Sequence, residues 1–151
     1  MEIYVMRHGQ AKMMAKNDSQ RELTRNGITQ VKKMAKKLSL QISAFDYTLV
    51  SPFVRAQQTM KKVGAIIPEL GKIVTLDELT PGGDAGSVKA FLGELEENSR
   101  VLIVSHLPLV GYMVEVLVPE AGAPLFATSA VAHIRTDQRN TTLVSLEQPG
   151  R

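Results

Sequence analysis

Three short stretches of this sequence carry residue types suited to handling an oxyanion: Arg7-His8-Gly9, Ser51-Pro52 with Arg55 just beyond, and Ser105-His106. A neutral imidazole is a good nucleophile near pH 7, and a covalent step on a side chain splits a hydrolysis into two easier ones. Guanidinium groups stay charged and match phosphate oxygens with forked donors. These types together suit the transfer of a phosphoryl group. His8 would attack phosphorus and water would then free the ring. Arg7 and Arg55 would clamp the phosphoryl oxygens, and His106 would be a third electropositive donor. The unreactive ring nitrogen of His8 needs a fixed partner, such as a nearby backbone carbonyl, to hold the reactive tautomer. A histidine after a strand is on its own more often structural. The joint occurrence of the three stretches is what points to chemistry. His133 lies in an apolar run without such neighbours and reads as structural.

Composition narrows the field around that chemistry. The chain has 151 residues, the size of one ordinary domain, with 44% hydrophobic and 22% charged residues. We therefore expect a single domain over 1–151. The absence of cysteine excludes a disulfide scaffold, a thiolate metal site and a cysteine nucleophile. His8, His106 and His133 lack metal-ligand spacing, so neither a metal nor another cofactor is expected. No window is apolar enough to cross a bilayer, and the first residues lack the features of a signal peptide, so a cytoplasmic protein without a membrane partner is expected. The formal net charge of +3 fits an anionic substrate. With no tryptophan, three tyrosines and four phenylalanines, the chain shows no basic stripe interleaved with aromatics, and no nucleic-acid partner is expected. No additional apolar stripe suggests an oligomer, and a monomer is expected.

The elements that must position these residues follow from periodicity. Strand-like runs cover Glu2 to Met6, Tyr47 to Val50, Ile73 to Leu76, Val101 to Val104, Ala130 to Ile134 and Thr142 to Leu146. A helix capped by Thr24 carries Ile28, Val31, Ala35 and Leu38 on one face and Lys32, Lys33, Lys36 and Lys37 on the other, a solvated face or a docking patch for an acidic partner. Further helices are expected from about Phe53 to Ile66, from an Asp84 cap to about Glu97, and from Pro108 to Val118. The alternation β-α-β-α-β-α-β-α-β-β argues for an α/β domain with helices on both faces of a sheet. Active sites in such sheets lie beyond the carboxyl ends of strands. Arg7-His8-Gly9, Ser51-Pro52 and Ser105-His106 each follow a strand end, so the two histidines should share one rim. Gly27, early in its helix, should permit close packing, and Gly82-Gly83 reads as plain loop. The stretch after Glu120 is the least informative about function.

The motifs also occur in a recognisable order: Arg7-His8-Gly9-Gln10, Leu23-Thr24 with Gly27, Ser51-Pro52 with Arg55-Ala56 and Thr59, Glu78 within Leu76-Asp77-Glu78-Leu79, and Ser105-His106. In this the whole chain resembles the histidine phosphatase superfamily, the phosphoglycerate mutase-like enzymes. Asp18-Ser19 with Arg21, Leu79-Thr80-Pro81 with Gly83-Asp84, and the run from Ser105 to Tyr112 are similar to its small bacterial phosphohistidine phosphatases. The resemblance implies a three-layer α/β/α sandwich with a mostly parallel central sheet. The short stretch between Thr59 and Glu78 leaves no room for a sizeable cap, which suits a bulky protein substrate.

The resemblance further implies a phosphoric monoester hydrolase acting on a phosphohistidine-bearing protein, such as a His-containing phosphotransfer domain or a phosphocarrier, through phospho-His8. Attenuation of phosphorelay signals would be its role. Arg7, Arg55 and His106 would hold phosphate, and Arg21, in a loop over the site, would add a contact. Glu78 falls where the superfamily places its general acid, and Asp18 is the other acidic candidate. An alkoxide leaving group needs such an acid more than an imidazole does. The alternatives are a small-molecule phosphomonoesterase and a non-catalytic phosphoprotein-binding module.

Overall fold

The computed structural model describes residues 1–137 and 139–150. Its main elements are β1 (Glu2–Arg7), α1 (Arg25–Ser39), β2 (Tyr47–Val50), α2 (Val54–Gly64), β3 (Lys72–Thr75), α3 (Ala85–Gly93), β4 (Arg100–Ser105), α4 (Leu109–Leu117), β5 (Val131–Thr136) and β6 (Thr141–Glu147). Short 3-10 turns occupy Asp18–Gln20, Asp77–Leu79 and Pro119–Ala121. The six strands form one sheet in the order β3-β2-β4-β1-β5-β6. The pairs β3–β2, β2–β4 and β4–β1 are parallel, and β5 runs antiparallel to both β1 and β6. Among the described residues no helix is long and apolar enough to cross a membrane.

Alternating side chains of the central strands feed two separate cores. Ile3 and Val5 of β1 and Val101 and Ile103 of β4 pack with Val88 and Leu92 of α3 and Leu109 and Met113 of α4. Tyr4, Met6, Leu102 and Val104 pack with Val31, Met34 and Leu38 of α1 and Ala56, Met60 and Val63 of α2. The result is the expected three-layer α/β/α arrangement. Because β1 and β4 are covered on both faces, they read as continuous apolar runs. The outer strand β3 is largely exposed, with Ile73 49% accessible.

Local signals placed the helices well. The Thr24 hydroxyl accepts the Gly27 N–H at 2.9 Å, a cap worth about 1 kcal/mol, and the Asp84 carboxylate accepts the Ser87 N–H at 3.1 Å. Helix α3 ends at Gly93 rather than near Glu97. After it the Leu95 and Ser99 N–H groups bond to Leu92 and Glu96 carbonyls, in turns that lead the chain into β4. β3 spans Lys72–Thr75, a residue earlier than periodicity suggests, because pairing of Tyr47 with Lys72 sets its register. Between Thr59 and Glu78 lie only the end of α2, β3 and a turn, so this segment carries no cap over the rim.

Candidate active site

Register brings the motifs to one level. Arg7 pairs with Ser105, and Val50 with Val104, on the adjacent strands β1, β4 and β2. The ladder continues past the strand ends: the His8 N–H reaches the Ser105 carbonyl at 2.9 Å, and the Ser51 N–H reaches the Val104 carbonyl at 3.1 Å. His8, Ser51 and His106 therefore emerge side by side. The His8 and His106 ring centroids lie 5.1 Å apart. His8, Arg55 and His106 are almost fully buried, at 7%, 4% and 1% accessible.

The surroundings of His8 settle its tautomer. Nδ1 lies 2.7 Å from the Gly9 carbonyl oxygen, which can only accept, so Nδ1 carries the proton. Nε2 receives the Nε–H of Arg55 at 3.3 Å and so presents a lone pair. This is the backbone-carbonyl partner that a reactive histidine requires. Burial, reinforced by the charges of Arg55, Arg7 and Arg21 and opposed by the Gly9 carbonyl, pushes the His8 pKa down to about 4, leaving the ring neutral at pH 7. A hydrogen-bonded relay locks the loop to the helix: the Gly9 N–H donates to the Thr59 hydroxyl at 3.0 Å, and that hydroxyl donates to the Arg55 carbonyl at 2.7 Å.

Close backbone approach supports the same loop. A Cβ on Gly27 would stand 2.2 Å from the Gln10 carbonyl oxygen, and one on Gly9 would stand 2.7 Å from a Val31 methyl. Only glycine at these positions lets the start of α1 press against the His8 loop.

The arginines are held differently. Arg55 spends its outer donors on Asp18, with Nη1 at 2.7 Å from the backbone oxygen and Nη2 at 3.2 Å from Oδ2. Its guanidinium also lies over the Phe53 ring at 5.1 Å. Arg7 donates through Nη1 to the Phe126 carbonyl at 2.9 Å, while its buried Nε has no partner among the described residues. Arg21 belongs to the same cluster through Asp18, whose Oδ1 it meets at 3.1 Å, and its Nε donates to the Lys12 carbonyl. Arg21 and then Arg55 hold the Asp18 carboxyl below the usual range, so Asp18 is an ionised partner of arginines. Burial, then His8 and Arg55, pushes the His106 pKa down to about 3.

Glu78 is exposed, in a turn anchored to the rim by the Ser105 hydroxyl, which donates to the Leu79 carbonyl at 2.7 Å. His133 stacks on Tyr4 and bonds to Glu2 at 2.8 Å, away from this cluster, as its lack of a motif suggests. The structure thus brings together Arg7, His8, Arg55, His106 and, through Asp18, Arg21.

It also adds residues that the sequence did not single out. The loop after Glu120 supplies the Phe126 carbonyl to Arg7, and the Ser129 N–H, which reaches the carbonyls of Arg7 and His8 at 3.2 and 3.0 Å. Backbone groups leave no mark in residue type, though the positive φ of 67° at buried Ser129 marks the constrained loop in the structure.

The phosphohistidine phosphatase SixA of Escherichia coli (strain K12) is 44% identical over 140 residues, covering 91% of this chain and 87% of the relative. The SixA homolog of Haemophilus influenzae is 37% identical, covering 95% and 93%. The structure of SixA complexed with tungstate superposes with a TM-score of 0.93 at 42% identity, covering 99% of this chain and 97% of that one. A sequence model of the histidine phosphatase superfamily (branch 1) matches residues 3–86, which hold Arg7, His8, Arg55 and Glu78. With His106 supplied from the end of β4 to the same rim, the chain belongs to the histidine phosphatase superfamily.

Proposed function

We propose that this chain is a phosphohistidine phosphatase, working through a phosphoryl group carried on Nε2 of His8. The observation that carries the reading is the fixed His8 tautomer, with Nδ1–H on the Gly9 carbonyl and the Nε2 lone pair facing Arg55. Once the Arg55 Nε–H turns from Nε2 to a phosphoryl oxygen, the Nε2 lone pair attacks phosphorus and the P–N bond to the substrate imidazole breaks, its nitrogen taking a proton from solvent. Water then attacks phospho-His8, releasing inorganic phosphate and restoring the ring. Arg7, Arg55 and His106 stabilise charge on the phosphoryl oxygens, and Arg21 supports them through Asp18. For Arg55 to grip phosphate with both outer nitrogens, its bonds to Asp18 must yield.

The substrate assignment rests on likeness to SixA across nearly the whole chain and on the absence of any cap between Thr59 and Glu78. The neutral reading of His8 rests on its burial. We place the enzyme in the cytoplasm as a single-domain monomer that needs no metal, acting on a phosphohistidine-bearing protein to attenuate phosphorelay signals. The test is incubation with a phosphorylated His-containing phosphotransfer domain, following phosphate release and acid-labile phosphate on the enzyme. No release under conditions where a small ester is cleaved overturns the substrate. Undiminished release by His8→Ala overturns the nucleophile.

A second reading, a small-ester phosphatase with Glu78 as general acid, is favoured by one observation. The Ser105–Leu79 hydrogen bond ties the turn bearing Glu78 to the end of β4, beside His106.

A further inference from the structure

Ser51 is the first residue after β2, fully buried, and its hydroxyl lies 2.7 Å from Nε2 of His106. That hydroxyl already accepts the Phe53 N–H at 3.2 Å. Among the described residues it has no other hydrogen-bond partner, so His106 Nε2 is the one acceptor within reach of its hydrogen. The opposite ring nitrogen, Nδ1, is buried with no partner among the described residues.

Two arrangements are possible, and counting unsatisfied groups separates them. If Nε2 carried the proton, the Ser51 hydrogen would lack an acceptor and Nδ1 would hold an unpaired lone pair, two buried orphans. If Ser51 donates to Nε2, the single orphan is an Nδ1–H. Buried polar groups without partners are costly, so the second arrangement prevails. Its orphan is a donor, the kind of group that an oxyanion reaching the ring would satisfy, whereas a lone pair at Nδ1 would repel one.

We propose that Ser51 is a positioning residue that donates its hydroxyl hydrogen to His106 Nε2 and thereby fixes the proton on Nδ1 as the donor offered to the phosphoryl group. The proposal rests on the functional reading above for its purpose. It stands on the geometry of Ser51 and His106 for its content. Ser51 itself touches no reacting atom. It acts as the Gly9 carbonyl does for His8: each ring at the rim has one nitrogen committed to a fixed partner, so the other has a defined protonation state.

The test is a two-bond 1H–15N correlation spectrum of the 15N-labelled protein at pH 7, with the His106 ring assigned by its loss in His106→Gln. The expected result is a protonated Nδ1 and a lone-pair Nε2 in the wild type. A protonated Nε2 overturns the proposal, whatever the substrate proves to be. In Ser51→Ala both tautomers should appear, and affinity for tungstate, a phosphate-like oxyanion, should weaken. Turnover should fall on the order of 10-fold to 100-fold, chiefly in kcat, as expected when one oxyanion donor is only partly available. Ser51→Thr, which keeps the hydroxyl, should restore the wild-type spectrum. An unchanged His106 spectrum in folded Ser51→Ala also overturns the proposal. Loss of phosphohistidine turnover in the wild type, with His106 tautomeric state as expected, would count against the function and not against Ser51.

Discussion

Acidification is the perturbation that most directly tests the site, because the pKa of His8 is pushed from 6.5 down to about 4 chiefly by burial. A ring with a pKa of about 4 is about 97% neutral at pH 5.5, whereas a ring at 6.5 is only about 9% neutral there. If His8 is the nucleophile, activity should therefore persist a full two pH units below the point where an exposed histidine fails. Stability changes in the linked direction. Between pH 6.5 and about 4 the unfolded chain binds a proton at His8 that the folded chain refuses, so stability falls as pH falls through that window. The gap between 6.5 and about 4 corresponds to a destabilisation of about 3 kcal/mol from His8, fully developed below about 4 and absent above the ordinary value. His106, pushed down to about 3, acts in the same direction. The assay is an NMR titration of the imidazole Cε1–H signals, assigned with His8→Gln and His106→Gln, alongside urea unfolding at a series of pH values. In Arg55→Gln the His8 pKa should rise yet stay well below 6.5, since burial outweighs the neighbouring charges. A wild-type His8 that titrates near 6.5 would refute the claim that the fold holds this ring neutral. A return to 6.5 in Arg55→Gln would show that charge, and not burial, is the dominant cause.

Other substitutions probe separate parts of the argument. Arg7→Ala and Arg55→Ala should each lower kcat/KM on the order of 100-fold or more, measured by phosphate release, and normal turnover in either would dismiss the clamp. Gly27→Ala sets a methyl group 2.2 Å from the Gln10 carbonyl oxygen and should cost about 1–3 kcal/mol, read as a lower Tm; an unchanged Tm would mean that α1 can retreat freely. Glu78→Gln should slow cleavage of small phosphate esters while leaving phosphohistidine turnover nearly intact, because imidazole leaves more readily than an alkoxide. Equal losses on both substrates would give Glu78 a role in the shared steps.

Much of the fold is legible in the sequence because its signals are local. The apolar run of β4 announces a strand covered on both sides, and Thr24 and Asp84 announce helix starts through short-range caps. The end of α3 is less legible, since it is decided by where the chain must turn to enter β4. In the site, the motif residues His8, Arg55 and His106 follow from residue type, and the rule for open α/β sheets puts both histidines on one rim. Asp18 shows the limit of that reasoning. As a carboxyl in a loop it can equally be an acid or a partner, and only its approach to Arg55 and Arg21 makes it a partner.

The sequence alone thus determines which groups are available: histidines and a serine just past strand ends, arginines beside them, and the alternating pattern that builds a sheet between helical layers. Tertiary structure decides their chemical state. The proton on His8 is assigned by a carbonyl one residue away and an arginine 47 residues on, and that of His106 by a hydroxyl 55 residues back. A tautomer and a depressed pKa are properties of distance, direction and burial, and residue order carries these only after strand register has brought the partners together.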